Sequence, residues 1–229
     1  MRLDQFVSQA TGLSRSQAQR LIKAGAITLH DQVLKNPSQH IEPHLPIQYE
    51  HTLLTLPQPL YLMLNKPQGV VSATSDAHQP TVLDLIQHPH KHSLHVVGRL
   101  DKDTTGLLLL TSDGDWSHRI AAPRKQIGKT YLVTLADALT HSALKQLEQG
   151  IHLEGEKRPT SPAQVALVSD LQLRLTIYEG MYHQVKRMIA AVGSKVVALH
   201  REQIGELSLD KDLALGEWRE LSYEERALF

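Results

Sequence analysis

The segment HVVGRLDKDTTGLLLLTSDGD, from His95 to Asp115, places charged side chains inside what otherwise reads as a buried core. Apolar runs flank the charges, at Val96-Val97 and at Leu107 to Leu110, and each run predicts a buried strand. Asp113-Gly114 is a strong turn signal that ends the second run. A chain with this segment must build a sheet whose strands lead directly into a charged loop.

The interrupting charges are Arg99 and Asp101. Residues two apart in a strand point to the same side. If the strand from His95 continues to Asp101, both charged side chains face one way and Leu100 faces the core. The arginine would then keep the carboxylate ionised, and Gly106 would permit a close approach of the returning chain. From spacing alone, a structural ion pair and a catalytic carboxylate both remain open.

Composition narrows the class of protein. The 229 residues contain no cysteine, which excludes disulfides, thiolate metal sites and a cysteine nucleophile. No window approaches the roughly 18 consecutive apolar residues of a membrane span, and MRLDQFVSQATG lacks the apolar core of a signal peptide. We therefore expect a soluble cytoplasmic protein with no membrane partner. The formal net charge of zero does not exclude RNA, because a sum can hide a basic patch.

Residues 14–25 predict a basic helix, which begins after the N-cap Ser14 and is closed by Gly25. Apolar residues share one arc of its helical wheel and basic residues share another: Ala18, Leu21 and Ile22, and Arg15, Arg20 and Lys23. No acidic residue lies between Ser14 and Ala24. Such a face is either solvated or in contact with a polyanion.

This N-terminal region resembles the S4 domain, a small RNA-binding module of ribosomal proteins and RNA-modifying enzymes. Three stretches carry the resemblance: Arg2-Leu3-Asp4, Ser14 to Ala18, and Ile22 to Ile27. The resemblance implies that the three basic residues of the helix contact RNA phosphates, which position a protein without reading sequence.

The stretch TLPQPLY, residues 55–61, contains two prolines and separates this module from the rest of the chain. We expect an S4 domain over residues 1–56, a linker over 57–60 and a larger domain over 61–229. Strands and helices follow each other in mixed order in the larger domain. The pattern predicts an α+β fold with a largely antiparallel sheet.

A second basic helix is predicted in EGMYHQVKRMIAAVG, between Gly180 and Gly193. Its apolar and polar side chains fall on opposite faces: Val185, Met188, Ile189 and Val192, and His183, Lys186 and Arg187. The polar face is either solvated or a basic wall over a polyanion.

Together these motifs resemble the pseudouridine synthases that modify ribosomal RNA and carry an N-terminal S4 domain. The resemblance covers nearly the whole chain. Its motifs are GRLDKDTTGLLLLTSDGD, which is highly specific, and LNKPQGVVS, KTYLV, EGMYHQVKRM and LHREQIG. The match is closest to the bacterial members that isomerise a single uridine of 16S rRNA, position 516 in the usual rRNA numbering.

The resemblance implies a role for each matching residue. Asp101 is the catalytic aspartate, Arg99 fills the space left by the flipped base, and Tyr131 lies against the uracil ring. Lys186 is the expected basic partner of the Asp101 carboxylate, with Arg187 as the nearby competitor. Two further residues are expected to line the same cleft: Lys66 and Arg201.

The implied reaction breaks the bond from N1 of uracil to the ribose and forms a bond from C5 to the same ribose carbon. It transfers no electron and consumes no water, so we expect neither cofactor nor metal. The target base must leave its helix to reach the pocket. The sequence leaves open whether the aspartate attacks the ribose directly or takes a proton from C2′ to give a glycal. The expected partner is 16S rRNA in a partly assembled small subunit, and the expected state is a monomer.

Other interpretations rest on weaker patterns. HPHKHSLH packs four histidines between His88 and His95, but Pro89 and the lack of cysteine argue against zinc. No Gly-x-Ser-x-Gly elbow supports a hydrolase. A 23S rRNA synthase of the same family remains an alternative, as does an RNA-binding assembly factor without activity.

Overall fold

The computed structural model describes the backbone of all 229 residues and every side chain except that of Pro123. The chain forms two compact units, Met1–Pro59 and Leu60–Phe229. Within the described part, no helix is both long and apolar enough to cross a membrane. The domain limits expected from the sequence stay a prediction.

The N-terminal unit combines two helices with a four-stranded antiparallel sheet. The elements are α1 (Leu3–Thr11), α2 (Arg15–Lys23), β1 (Ile27–Leu29), β2 (Gln32–Val33), β3 (Ile47–Tyr49) and β4 (Thr52–Leu53). The strand order is β2-β1-β3-β4. Phe6, Ile22 and Ile47 are fully buried in one apolar cluster, which joins both helices to the sheet.

The predicted basic helix and its N-cap are confirmed. Ser14 and Gln17 form a reciprocal capping box at the start of α2. The basic face of α2 has one acidic neighbour, which α1 supplies next to Arg15. The carboxylate of Asp4 is fully buried, and Arg15 Nη2 lies 3.2 Å from it. The bond from Arg2 is the main cause that holds the pKa of Asp4 far below its usual range.

The larger unit contains a nine-stranded sheet. Its strands are β5 (Tyr61–Lys66), β6 (His95–Val97), β7 (Thr105–Thr111), β8 (Lys129–Leu135), β9 (Gln164–Ser169), β10 (Gln172–Ile177), β11 (Val196–Ile204), β12 (Leu207–Ser208) and β13 (Trp218–Glu220). The main order is β13-β5-β7-β11-β8-β10-β9, with β12 paired to β11 and β6 paired to β7. All pairs are antiparallel except β7 with β11. The predicted α+β fold with a largely antiparallel sheet is therefore confirmed.

Helices cover the sheet. They are α3 (Gly114–Ala121), α4 (His141–Gln149), α5 (Gln184–Ala191) and α6 (Tyr223–Ala227), with 3-10 turns at Val82–Leu85, Lys91–Ser93 and Pro123–Lys125. Strand β7 lies between two apolar clusters. Leu108 and Leu110 belong to one cluster, and Leu107 and Leu109 to the other, as the alternation of a strand requires. A strand buried on both faces explains the unbroken leucine run.

The connection between β6 and β7 differs from the sequence-based expectation. β6 ends at Val97, so Arg99 and Asp101 lie in a loop and not in a strand. Along one edge of β7, β6 pairs with residues 109–111 and β11 pairs with residues 105 and 106. The loop over residues 98–104 therefore begins where β6 leaves the sheet and ends beside the parallel pair.

Candidate active site

The backbone of the loop over residues 98–104 is fixed to Ser72, which follows β5 in the chain. The amide of Leu100 donates to Ser72 Oγ at 3.1 Å, and Ser72 Oγ donates to the Leu100 carbonyl at 2.7 Å. The Leu100 side chain is buried in the apolar core. Within the loop, the amide of Thr104 donates to the Asp101 carbonyl. Asp101 is thus held between two anchored residues.

The buried side chain of Lys66 binds backbone carbonyls of the same loop. Its side chain is fully buried at the end of β5. Nζ donates to the carbonyls of Pro67, Asp101 and Thr104 at 3.0, 3.1 and 2.9 Å, with a longer contact of 3.4 Å to Lys102. Burial lowers the pKa of Lys66 to about 8, while the negative charges of Asp103 and Asp101 oppose the shift. At neutral pH an ammonium therefore gathers the carbonyls of the loop.

The Asp101 carboxylate contacts the start of α5. Oδ2 accepts from Lys186 Nζ at 2.8 Å, and Oδ1 lies 3.5 Å from His183 Nε2. Lys186 Nζ also donates to Asp103 Oδ1 at 2.6 Å. Partial burial alone would lower the pKa of Lys186, but the bonds to the two carboxylates raise it above its usual value. The lysine stays charged and directs one oxygen of Asp101.

The position of Lys186 follows from the amphipathic pattern of α5. Val185, Met188 and Ile189 are buried in the core, as the sequence predicts. With the apolar face fixed against the sheet, the opposite face carries Lys186 to the Asp101 loop.

Tyr131 and Arg201 stand opposite each other on β8 and β11. Arg201 is 2% exposed, and its Nε donates to the Leu107 carbonyl at 2.7 Å. Its Nη1 lies 3.4 Å from the Tyr131 hydroxyl. Nη2 is buried and has no hydrogen-bond partner among the described residues. A buried guanidinium donor without a partner is costly, unless a ligand supplies the acceptor.

These groups surround one cavity of about 730 Å³. It is lined by the four residues that were expected to be catalytic, which are Arg99, Asp101, Tyr131 and Lys186. Arg201, which was expected to bind substrate, also lines it. The cavity thus joins a carboxylate, an ammonium bound to it, a guanidinium and an aromatic ring. That combination can break a bond to a ribose carbon while it stabilises negative charge on a flat leaving group.

Comparison with known proteins agrees with this geometry. The RNA pseudouridylate synthase family matches residues 60–191, which include Asp101, Tyr131 and Lys186. The chain belongs to that family. The S4 domain family matches residues 1–47.

Relatives match this synthase over nearly its whole length. The proteins named ribosomal small subunit pseudouridine synthase A from Yersinia pestis and Escherichia coli (strain K12) are 47% and 48% identical to it. Each alignment covers 99% of this chain, and 97% and 99% of the respective relative. A crystal structure of a pseudouridylate synthase matches all of this chain with a TM-score of 0.74 and 46% identity.

One residue of this synthase lies differently from the sequence-based expectation, and two others answer questions that the sequence left open. Lys66 was expected to line the cleft, but its ammonium is buried under the loop. Arg99 is exposed on the cavity and makes no ion pair with Asp101 among the described residues. Arg187 Nη1 donates to Glu156 Oε1 at 2.8 Å, and Arg187 makes no ion pair with Asp101 among the described residues. The partner of the carboxylate is Lys186, from a distant part of the chain.

Several residues around Asp101 were not predicted from the sequence. Asp103 shares Lys186 with the catalytic candidate, and the lysine bond lowers the pKa of Asp103. Tyr182 and Glu179 line the cavity beside His183. A signal was present, since Asp103 lies in the central motif, and Glu179 and Tyr182 directly precede the basic helix. Their pattern did not indicate which side chains turn toward the carboxylate.

We predict that Lys66→Met lowers kcat about 10- to 100-fold with little change in KM, because small displacements of a catalytic group have effects of this size. In the wild type, kcat should fall as pH rises through about 8, since a neutral amine has only two hydrogens for the loop carbonyls. A pH profile of kcat checks both points.

The variant should lack this alkaline limb, and an identical limb in Lys66→Met would contradict the assignment. The effect of pH on the stability of the fold is opposite to its effect on kcat, because stability rises as Lys66 loses its proton. The folded protein binds this proton less tightly than the unfolded chain, so the buried charge costs stability below pH 8. That cost disappears between about pH 8 and the ordinary lysine pKa of 10.5.

Proposed function

We propose that this protein converts one uridine of 16S rRNA to pseudouridine, as a monomer acting in the cytoplasm on a partly assembled small subunit. The observation that carries the proposal is the Asp101 carboxylate, held by Lys186 at 2.8 Å in a cavity that Tyr131 and Arg201 also line. The names of the full-length relatives support the small subunit as the source of the RNA.

The reaction is an isomerisation, so its atoms balance without a second substrate. The bond between N1 and C1′ breaks, the uracil turns, and C5 forms a bond to C1′. The proton of C5 leaves and N1 gains one. Because the target base is stacked inside RNA, it must first rotate out of the strand into the cavity.

Asp101 starts the reaction. In one route a carboxylate oxygen attacks C1′, and uracil leaves with the bonding electrons. In the other route the carboxylate takes the proton from C2′, and loss of uracil gives a glycal. Both routes require an ionised carboxylate with a free oxygen. Lys186 serves both, because its ammonium binds Oδ2 and leaves Oδ1 open toward His183.

Arg201 and Tyr131 act on the base. In either route uracil detaches as an anion, whose charge is shared by its ring nitrogen and carbonyl oxygens. The buried Nη2 of Arg201 is a donor in need of an acceptor, and a uracil carbonyl is such an acceptor. The Tyr131 ring, 8% exposed on the same wall, offers a flat surface on which the uracil turns.

Arg99 has a different role. Its side chain is exposed on the cavity and makes no ion pair within the described residues, so it is available to the RNA. We assign it to the space that the target base leaves in its helix. Arg187 supports the cavity indirectly, since Glu156 occupies part of its guanidinium.

The S4 unit supplies affinity through α2. Arg20 and Lys23 are exposed on this helix, whereas Arg15 is partly occupied by Asp4. We predict that Arg20→Ala/Lys23→Ala weakens rRNA binding and reduces the slope of log K against log salt by about 1.5 to 2, because two phosphate contacts are lost. Filter binding at several salt concentrations measures the slope.

A matched control removes equal charge from the other unit. Lys145 and Lys211 are exposed there, so Lys145→Ala/Lys211→Ala tests charge alone. The control should leave the slope nearly unchanged. Equal slopes for both double variants would remove α2 from the interface.

The function itself is tested by mapping pseudouridine. Unmodified 16S rRNA in partly assembled subunits is incubated with the protein, treated with carbodiimide and read by primer extension. One new stop in 16S rRNA is expected. A stop only in 23S rRNA would move the substrate to the large subunit, and no stop in either RNA would overturn the proposed function.

A further inference from the structure

An exposed pair of aromatic rings stands at the rim of the cavity. Tyr182 is 76% exposed, and both Tyr182 and His183 line the cavity. Their rings stack with centroids 3.9 Å apart and an angle of 17° between the planes. Neither residue has a role in the reaction described above. A large aromatic surface left in water beside an RNA site requires an explanation.

The backbone of this pair is rigidly held. His183 adopts a left-handed conformation, with φ 46° and ψ 37°, which is unfavourable for a residue other than glycine. Arg187 Nη1 donates to the Tyr182 carbonyl at 3.1 Å, and Glu156 fixes that guanidinium. Gln184 Oε1 accepts from the Met181 amide at 2.9 Å. Surrounding contacts therefore maintain a strained turn, and this turn places the Tyr182 ring in solvent.

A second set of hydrogen bonds, through Glu179, fixes the same turn. Gln184 Nε2 donates to Glu179 at 3.0 Å, and the Glu179 carboxylate accepts from the Ser161 amide at 2.7 Å. Glu179 and Gln184 are both buried. An exposed ring on so fixed a support loses little conformational freedom when it binds a ligand, which favours a binding surface.

The position of the pair identifies the ligand. His183 Nε2 lies 3.5 Å from Asp101 Oδ1, the carboxylate oxygen that Lys186 does not bind. Once the target uridine occupies the cavity, the nucleotides on its two sides must lie at the rim. Every base has a flat π-face, and bases stack on exposed aromatic side chains in single-stranded RNA. A positive charge for the RNA backbone is also present, since the exposed Lys102 lines the same cavity.

We propose that Tyr182 and His183 form a stacking subsite for the base of a nucleotide adjacent to the target uridine. The inference rests on the proposed function and extends it to a second nucleotide. The stacked neighbour holds the strand open beside the flipped uridine, so the subsite contributes to affinity and to the choice of sequence around the target.

The test is a double-mutant cycle between protein and RNA. Full-length wild type and Tyr182→Ala are compared on an rRNA fragment with the target uridine, made intact or with an abasic residue on its 5′ or 3′ side. Tyr182→Ala should raise KM for the intact RNA about 5- to 100-fold, the range that corresponds to loss of one stacked base. On one of the two abasic RNAs, wild type and variant should have the same KM.

Two further variants control for folding and for aromatic surface in general. Tyr182→Phe keeps the ring and should recover most of the affinity. Tyr223 is 74% exposed elsewhere on the same unit, so Tyr223→Ala should not raise KM. Thermal melting of each variant checks that the fold is intact.

The outcomes separate this inference from the proposed function. One outcome is that the wild type forms pseudouridine, but Tyr182→Ala raises KM by the same factor on the intact RNA and on both abasic RNAs. In that case the subsite is wrong and the function stands. If the wild type forms no pseudouridine in any rRNA, the function itself fails. Loss of affinity in Tyr182→Phe equal to that in Tyr182→Ala would also overturn the stacking subsite.

Discussion

Asp101→Asn should abolish pseudouridine formation, with a loss in kcat of at least about 10⁴-fold and little change in rRNA affinity. Asparagine has nearly the same shape, but its amide is neither a nucleophile toward C1′ nor a base toward C2′. Because only one oxygen of Asp101 is bound to Lys186, the loss should reflect chemistry and not a broken loop. The loss in rate is measured by single-turnover kinetics, in which primer extension quantifies the pseudouridine formed in the rRNA.

A matched variant is available two residues away. Asp103 binds the same Lys186 at 2.6 Å but is largely exposed, with 69% of its side chain accessible. Asp103→Asn therefore removes a carboxylate from the same lysine without removing the reacting group, and should lower kcat less than about tenfold. Comparable losses in the two variants would show that the charge balance around Lys186, and not the carboxylate of Asp101, limits the reaction.

The sequence predicted the parts of this site that depend on local pattern. The leucine run 107–110 indicated a buried strand, and the periodicity of residues 185–189 indicated α5. Asp101 and Lys186 could be named because each lies in a specific motif. The helical spacing of α5 also indicated the polar face that carries Lys186, whereas the loop that holds Asp101 was not visible in the local pattern.

Other features depend on contacts between distant segments, and no local pattern contains them. Lys66 reads as an ordinary lysine before a proline, yet β5 buries it under a loop 35 residues away. Arg99 and Asp101 have the spacing of a strand, but β6 ends early because β11 takes its place along β7. Arg187 follows Lys186 directly, and its ion pair with Glu156, 31 residues earlier, is not visible in the local pattern.

Gly106→Ala should destabilise the larger unit by roughly 4 kcal/mol or more, which corresponds to a fall in Tm of about 8–16 °C. Gly106 has φ +104°, and a Cβ there would lie 2.3 Å from the Arg201 carbonyl oxygen and 2.7 Å from its amide nitrogen. These atoms belong to backbone in the centre of the sheet, so β7 and β11 must separate to admit a methyl group. Urea unfolding followed by the fluorescence of Trp116 and Trp218 reports on this unit.

Gly216→Ala separates the close approach from the backbone conformation. Gly216 has φ +89°, and its added Cβ would meet no atom within 4 Å. The strain of a left-handed residue alone should then cost about 1–2 kcal/mol. The loss of stability in Gly106→Ala beyond that in Gly216→Ala measures the close contact between β7 and β11. The same contact places Arg201 Nε where it donates to the Leu107 carbonyl. Equal losses in the two variants would mean that the strands separate at no cost, and that Gly106 serves only its own backbone angle.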